Sequence, residues 1–232
     1  MRLLIFAAAL AGALIASQAM AQATNYTFTS GLYDTIGNST TCTIGECATF
    51  TSAHRATATL TYAAPLAPNL PHAEYSAGVI AYTFSDGVRT TTGPSPITAL
   101  YRVEFATDGA GVPIQPVITF ERTPGPPYTV NDAGDPNSLV SFINFLPLRT
   151  VVGANTICSS RGVGMNPSPG PGSCNAVFGG LQSSGAESNV APVVTVAAVH
   201  PVPTLSEWAL ILLGLTLAGG AALAIQRRRL TA

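Results

Sequence analysis

The cysteines are the first residues of this chain whose type and spacing could do chemistry. There are four of them: Cys42, Cys47, Cys158 and Cys174. Zinc sites usually combine closely spaced cysteines with histidines. The chain has no C-x-x-C pair, and its three histidines are scattered at His54, His72 and His200. We therefore expect no metal site and no cofactor, and we interpret the cysteines as disulfides.

An even number of cysteines in an exported chain is typical of a disulfide framework. Four cysteines allow three connectivities. We favour the two local pairs, Cys42–Cys47 and Cys158–Cys174, because each would close a glycine-containing loop.

Acid–base chemistry has few candidates in this sequence. Glu104 and Glu121 lie in or beside predicted strands, where we expect each to be a solvated residue on a polar face. The sequence contains no G-x-S-x-G, H-E-x-x-H or Gly-rich phosphate motif and no catalytic-cysteine context. We therefore predict a protein that is not an enzyme and assign no catalytic residue.

One oxygen-rich stretch, Asn131 to Asn137 (NDAGDPN), could in principle bind calcium. Calcium needs six to eight oxygen ligands, and the spacing here does not match the D-x-[DN]-x-[DN]-G loop. Asn, Asp, Gly and Pro are also the residues that a turn requires. We favour the turn and keep calcium as the alternative.

The stretch from residue 202 to residue 229 has three successive parts. The first is the box Val202, Pro203, Thr204, Leu205, Ser206, Glu207 and Trp208. An uncharged apolar run, 208–225, follows and spans roughly 27 Å as a helix, close to the thickness of a bilayer core. Arg227, Arg228 and Arg229 come next as a basic stop. The pattern predicts a transmembrane helix with the arginines in the cytoplasm and the body outside.

The N-terminal residues predict export with the same orientation. Arg2 precedes an apolar stretch from Leu3 to Ile15, and small residues follow it. Ala19-Met20-Ala21 fits an A-x-A processing site with cleavage before Gln22. We interpret residues 1–21 as a signal peptide, with a retained anchor helix as the alternative.

The charge of the predicted exported part excludes one class of partner. Between Gln22 and Ser206 there are ten acidic residues and six arginines, which gives a net charge of −4, and there is no lysine. Nucleic-acid binding needs a basic patch, so we expect no nucleic-acid partner.

The elements that would position these residues are short strands with period-two alternation. The predicted strands cover 25–30, 55–62, 79–84, 101–105, 117–120, 139–145 and 193–199. Asp86-Gly87 is a hairpin signal. Turns at short intervals, with no amphipathic helix between them, predict an all-β protein whose body is an antiparallel β-sandwich.

The predicted organisation is therefore linear. We expect a sandwich body over 22–183 and a segment over 184–201 that serves as a stalk or as the last strand plus a linker. The tail follows over 202–232. A Gly/Pro-rich loop, 162–172, lies between the cysteines of the second pair.

The tail resembles the C-terminal sorting domain of the IPTL-CTERM family, a relative of the PEP-CTERM signals of Gram-negative bacteria. Pro203, Thr204, Leu205 and Trp208 match the family's box, whereas Val202 replaces the usual Ile and the residue after Trp208 is Ala instead of Gly. The resemblance implies recognition by an exosortase-type protease or transpeptidase in the membrane. It covers only about the last thirty residues.

Two functional hypotheses follow for the body. The resemblance implies a non-enzymatic protein of the cell surface or extracellular matrix, associated with exopolysaccharide. The alternative is a carbohydrate-binding module or a cryptic polysaccharide hydrolase. A binding module would need an exposed aromatic platform, for which the candidates are Tyr75, Tyr82, Tyr101 and Tyr128.

Overall fold

The structure is a computed structural model that describes residues 22–45, 47–123, 129–132, 134–162, 173–178, 182–199 and 213–216. Its described part up to residue 199 consists of antiparallel strands with two short 3-10 helices, Ser76–Gly78 and Pro136–Ser138. The all-β prediction is confirmed.

Thirteen strands are described, in this order along the chain. The first seven are β1 (Thr24–Thr29), β2 (Thr35–Gly37), β3 (Thr57–Tyr62), β4 (Ala73–Glu74), β5 (Val79–Ser85), β6 (Thr90–Gly93) and β7 (Thr98–Thr107). The other six are β8 (Pro113–Arg122), β9 (Leu139–Phe145), β10 (Thr150–Gly162), β11 (Ser173–Phe178), β12 (Ser184–Ser188) and β13 (Val193–Ala198).

The strands form two antiparallel sheets. The five-stranded sheet has the order β13-β1-β3-β5-β6, and the eight-stranded sheet has the order β2-β12-β10-β9-β8-β7-β4 with β11 beside β10. Each predicted strand corresponds to an observed one. The segment 184–201 contributes to both sheets, because β12 pairs with β10 and β13 pairs with β1.

The core lies between the inner faces of the two sheets, as in a sandwich. Phe28 of the five-stranded sheet packs against Phe145 of the eight-stranded sheet, with ring centroids 6.1 Å apart. Phe84 and Phe120 make a second such contact at 5.1 Å. Every second residue of β1 and β3 is buried, as are alternate residues over 116–120 of β8 and 141–145 of β9, which is the period-two pattern read from the sequence.

The hairpin predicted at Asp86-Gly87 joins β5 to β6, but its loop has four residues instead of two. The Asp86 backbone N–H donates to the Arg89 carbonyl, and the Asp86 carboxylate accepts the N–H groups of Val88 and Arg89. Gly87 adopts a φ of 89°, which favours glycine.

Two prolines lie within β8, and the pairing of this strand explains how they are accommodated. Pro113 is the first residue of the strand, and Pro116 lies at an irregularity in the β7 pairing beside Gln115, whose φ is 54°. β9 pairs only with residues 118–122 of β8. Both prolines therefore lie where β8 is locally an edge, which is where strands tolerate proline.

The chain divides into two compact units, residues 1–199 and residues 200–232. The first unit contains the sandwich. In the second unit the structure describes only residues 213–216, which are helical. Within the described residues, no helix reaches the length and apolarity needed to cross a membrane. The predicted signal peptide and most of the predicted transmembrane helix lie outside the described residues.

Candidate functional site

Both local disulfides predicted from the sequence are present. Cys158 of β10 is joined to Cys174 of β11, and both residues are buried in a small cluster with Val140. This cluster is separate from the main core. The disulfide therefore fixes β11 to the eight-stranded sheet.

Glu121 supports the same strand from β8. One of its carboxylate oxygens accepts the backbone N–H of Cys174 at 2.8 Å. Glu121 as a whole residue is only 3% exposed. The expectation of a solvated residue on a polar face is therefore wrong for Glu121, because the residue is buried and its carboxylate accepts an N–H group of β11.

Glu104 behaves differently, since it lies at the surface of β7. Its carboxylate accepts a hydrogen bond from Arg102 at 2.6 Å, and this bond lowers the pKa of Glu104. Glu104 pairs with Val117, which lies four residues along β8 from Glu121. The two glutamates therefore lie at separate positions along the sheet, and each carboxylate has its own hydrogen-bond partner: Arg102 for Glu104 and the Cys174 N–H for Glu121.

The second disulfide, Cys42–Cys47, shapes the loop between β2 and β3. Asn155 of β10 holds this loop, because its Nδ2 atom donates to the Ile44 carbonyl at 2.8 Å. The side-chain oxygen of Gln182 accepts the backbone N–H groups of Thr43 and Ile44. Side chains distant in sequence thus anchor a half-exposed loop to the body.

A cavity of about 210 Å³ lies beside this loop. Its lining residues are Gly45, Arg122, Pro136, Leu139, Val140, Ser141 and Asn155. Arg122 crosses between the sheets and donates from Nη1 to the Thr91 hydroxyl at 3.1 Å. Among the described residues, the buried Ser141 Oγ has no hydrogen-bond partner.

The tyrosines proposed for a carbohydrate platform have structural contacts. Tyr82 is buried, and its hydroxyl bonds to Thr98. Tyr75 is half-buried and stacks on Phe105 at 4.8 Å, while its hydroxyl donates to the Pro71 carbonyl. Tyr101 is half-buried and Tyr128 lies outside the described residues. The described tyrosines therefore do not provide an exposed, coplanar binding surface.

The described part of the oxygen-rich stretch, Asn131–Asp132 and Gly134–Asn137, is a turn leading into a 3-10 helix. Asp132 accepts the backbone N–H of Gly134, and Asp135 accepts that of Asn137, each at 2.8 Å. The Asn137 N–H and then the Thr129 hydroxyl lower the pKa of Asp135. Both carboxylates therefore stabilise the turn that the sequence favoured. In the described ranges, no group of three or more His, Cys, Asp or Glu residues could hold a metal ion.

The two histidines within the described residues lie apart from these features. His72 is exposed and its Nε2 lies 3.2 Å from the Gln115 carbonyl. His54 contributes its ring nitrogen to the turn at Thr51. His200, the box from Val202 to Trp208 and Arg227–Arg229 lie outside the described residues.

Residues 200–229 match the family described as the IPTL-CTERM motif. The chain carries an IPTL-CTERM motif. The match includes the whole box from Val202 to Trp208, the apolar run and the three arginines, so the resemblance read from the sequence is confirmed. No curated protein and no solved structure matches the chain.

The IPTL-CTERM motif is consistent with an exported protein that carries a C-terminal sorting tail. Two disulfides are compatible with this location, because disulfides persist in oxidising compartments. The family match to residues 200–229 is therefore the finding that points to a function for this chain.

Proposed function

We propose that this chain is a non-enzymatic protein of the bacterial cell surface or extracellular matrix, sorted by an exosortase-type enzyme that reads its IPTL-CTERM tail. The observation that carries the proposal is the motif match over residues 200–229. In this proposal a signal peptide directs export, and the apolar run 208–225 then holds the precursor in the membrane. The sorting enzyme removes the tail, and the sandwich is released to the surface or matrix.

The chemistry of the box supports recognition by a protease. Pro203 cannot continue a helix and biases Val202 toward an extended backbone. Proteases bind extended, unpaired segments. Trp208 begins the apolar run, where an aromatic side chain prefers the membrane interface, and Arg227–Arg229 supply the cytoplasmic stop. The box would therefore be presented at a fixed depth next to the membrane.

The body supports a structural role outside the cell. One disulfide anchors a strand and the other shapes a loop, and the sequence of the body is rich in hydroxyl groups with few charges. Exopolysaccharide is the associated partner that the motif's family suggests. The body would contribute stability and surface area to the matrix instead of catalysis.

Fractionation of the native host, followed by intact-mass measurement, tests this proposal. We expect the wild-type protein in the surface or matrix fraction, lighter than the signal-cleaved chain by roughly the apolar run and tail. A mature protein that keeps Arg227–Arg229 in the inner membrane would overturn the sorting role.

Substitutions in the box separate sorting from insertion. Pro203→Ala lets the helix extend toward the body, and Trp208→Ala loosens the depth of the segment. Both variants should accumulate in the inner membrane at the full signal-cleaved mass, because the apolar run and the arginines still insert. Val202→Ile is the matched control, since it restores the family's usual residue and should be processed at least as well as wild type.

A further inference from the structure

The five-stranded sheet ends on β13, and this edge has unusual properties for a soluble sandwich. Among the described strands, β13 pairs only with β1, so one of its sides is free. Its sequence is VVTVAA, without a charged residue or a proline. Edge strands are usually protected by charges, prolines, bulges or short length, because their free backbone groups can pair with another chain. β13 has none of these protections.

The ends of the two sheets differ in this respect. The other three end strands are β6, β2 and β4, which contain four, three and two residues respectively. β13 contains six, and its ladder continues to Val199, whose N–H donates to the Ala23 carbonyl at 2.7 Å. β11, which pairs only with β10 among the described strands, also contains six residues, but two register shifts interrupt its pairing. Among the described edge strands, only β13 therefore offers a template that is both long and regular.

The register of β13 on β1 identifies the backbone groups that face outward. Val199 bonds to Ala23, so the odd-numbered residues of β13 point their N–H and C=O groups toward β1. In an antiparallel strand the direction alternates from residue to residue. The N–H and C=O groups of Val194, Val196 and Ala198 therefore point away from β1, toward the free side.

The side chains around this edge are apolar and exposed. Val193 is 62% exposed and Val196 is 45% exposed. Val194 packs against the core, and the register places Val196 on the same face of the sheet. A partner that paired with the backbone of β13 would also cover apolar side chains, which adds hydrophobic stabilisation to the hydrogen bonds.

We propose that β13 pairs with β13 of a second copy of this chain, in an antiparallel arrangement about a two-fold axis at Val196, to form a continuous ten-stranded sheet. Hydrogen bonds between the two copies require each residue whose backbone groups point outward to lie opposite another such residue. An axis at Val196 pairs Val194 with Ala198 of the second copy and Val196 with its own equivalent. This register uses all of residues 193–199 and forms three hydrogen-bonded pairs with two bonds each.

The composition of β13 favours a second copy as the occupant. A two-fold pairing brings each residue opposite a residue of the same short segment, so any charge would risk opposing a like charge. Residues 193–199 are valine, alanine and one threonine, and therefore oppose no charges. Within residues 193–199, registers with the axis at Thr195 or Ala197 form two hydrogen-bonded pairs instead of three. With the axis at Thr195 the third outward position is Pro192, which has no N–H group to donate.

Cysteine cross-linking of the mature protein, purified from its native host, tests this register. The Cα atoms of Val196 and its equivalent would lie about 5.5 Å apart, within the range for a disulfide. Val196→Cys should therefore form a covalent dimer on mild oxidation. Val193→Cys is the matched control on the same strand, because the two-fold axis separates the two copies of this position by about 20 Å. The native cysteines are already paired.

Sedimentation of single-site variants tests the edge without a covalent bond. Wild type should form a concentration-dependent dimer. Val196→Pro removes an N–H group that points toward the second copy, and it leaves every hydrogen bond to β1 in place. It should therefore raise the dissociation constant of the dimer about tenfold or more. Val196→Arg should also weaken the dimer, because it places two like charges opposite each other. This variant tests the same contact if the proline variant does not fold. The proposal would be overturned if wild type were monomeric, or if cysteines at positions 193 and 196 cross-linked equally. It would also be overturned if a folded variant dimerised as well as wild type, or if a different protein were bound to this edge.

Discussion

The two disulfides of this protein are both local in sequence, yet they stabilise different kinds of structure. Cys158–Cys174 closes a span of 16 residues and is buried where β11 meets β10. Cys42–Cys47 closes a span of 5 residues and is half-buried in a loop that side chains from elsewhere hold in place. One attaches a strand to a sheet, and the other shapes a loop beside a cavity.

The difference shows that sequence separation alone does not determine what a disulfide stabilises. The chain-entropy model gives about 3 kcal/mol for the longer span and about 2 kcal/mol for the shorter one. Burial adds to the contrast, because the longer disulfide is also part of an apolar cluster and lies beside Glu121. We therefore expect the two regions to respond unequally when their contacts are removed.

The largest effect should follow from Cys158→Ala combined with Cys174→Ala. Loss of the constraint on the unfolded chain should cost about 3 kcal/mol, within the usual range of 2–5 kcal/mol. For a body of this size the melting temperature should fall by about 6–12 °C. Denaturant unfolding and calorimetry measure both values. Wild type, labelled without reduction, should show no free thiol, and labelling at any of the four cysteines would contradict the pairing.

A smaller effect on the same region should follow from Glu121→Ala. The backbone N–H of Cys174 would lose its buried acceptor, which costs about 1–3 kcal/mol. Glu121→Gln keeps an acceptor oxygen of the same reach and is the matched control. Equal destabilisation by alanine and glutamine would show that the charge of Glu121, and not its bond to Cys174, stabilises β11.

The strands of the core could be predicted from the sequence where buried and less buried residues alternate. In β1 and β3 every second residue is buried, and most of these residues are apolar. The local disulfides were also predicted, since each pair brackets a glycine-containing loop. These features depend on nearby residues, which is why the sequence reveals them.

β10 was not predicted, although at 13 residues it is the longest strand described. Its residues include Gly153, Asn155 and several serines and threonines, so its alternation is weak. The φ of 53° at Asn155 accompanies a register shift that interrupts the period. The burial of Glu121 has a similar explanation, because it depends on Cys174, 53 residues away. Neighbouring residues in the sequence therefore predict neither the extent of β10 nor the burial of Glu121.

Removing the Cys42–Cys47 disulfide should cause a smaller loss of stability than removing Cys158–Cys174. Cys42→Ala combined with Cys47→Ala should cost at most about 2 kcal/mol, because the closed loop is short. Asn155 and Gln182 would still hold the loop through the Thr43 and Ile44 backbone. Denaturant unfolding, in parallel with the Cys158/Cys174 variant, measures the difference. A loss equal to or larger than that of the buried disulfide would reverse the comparison.

The smallest effect concerns Asp135, in the turn whose Asn131 N–H donates to the Cys158 carbonyl at 2.8 Å. Hydrogen bonds from Asn137 and Thr129 lower the pKa of Asp135 below its ordinary value of 3.8. A carboxyl group with a lowered pKa in the folded state contributes stability above its unfolded pKa, and the contribution is lost as the pH falls through the folded pKa. Asp135→Ala should therefore lower the melting temperature slightly at pH 5–7, and its difference from wild type should shrink below about pH 3.8.

Asp135→Asn keeps an acceptor for the Asn137 N–H without a titrating group, so its melting temperature should lack this dependence on pH. A difference between wild type and Asp135→Ala that stays constant from pH 7 to pH 2 would mean that the turn near the buried disulfide does not depend on the ionised carboxylate.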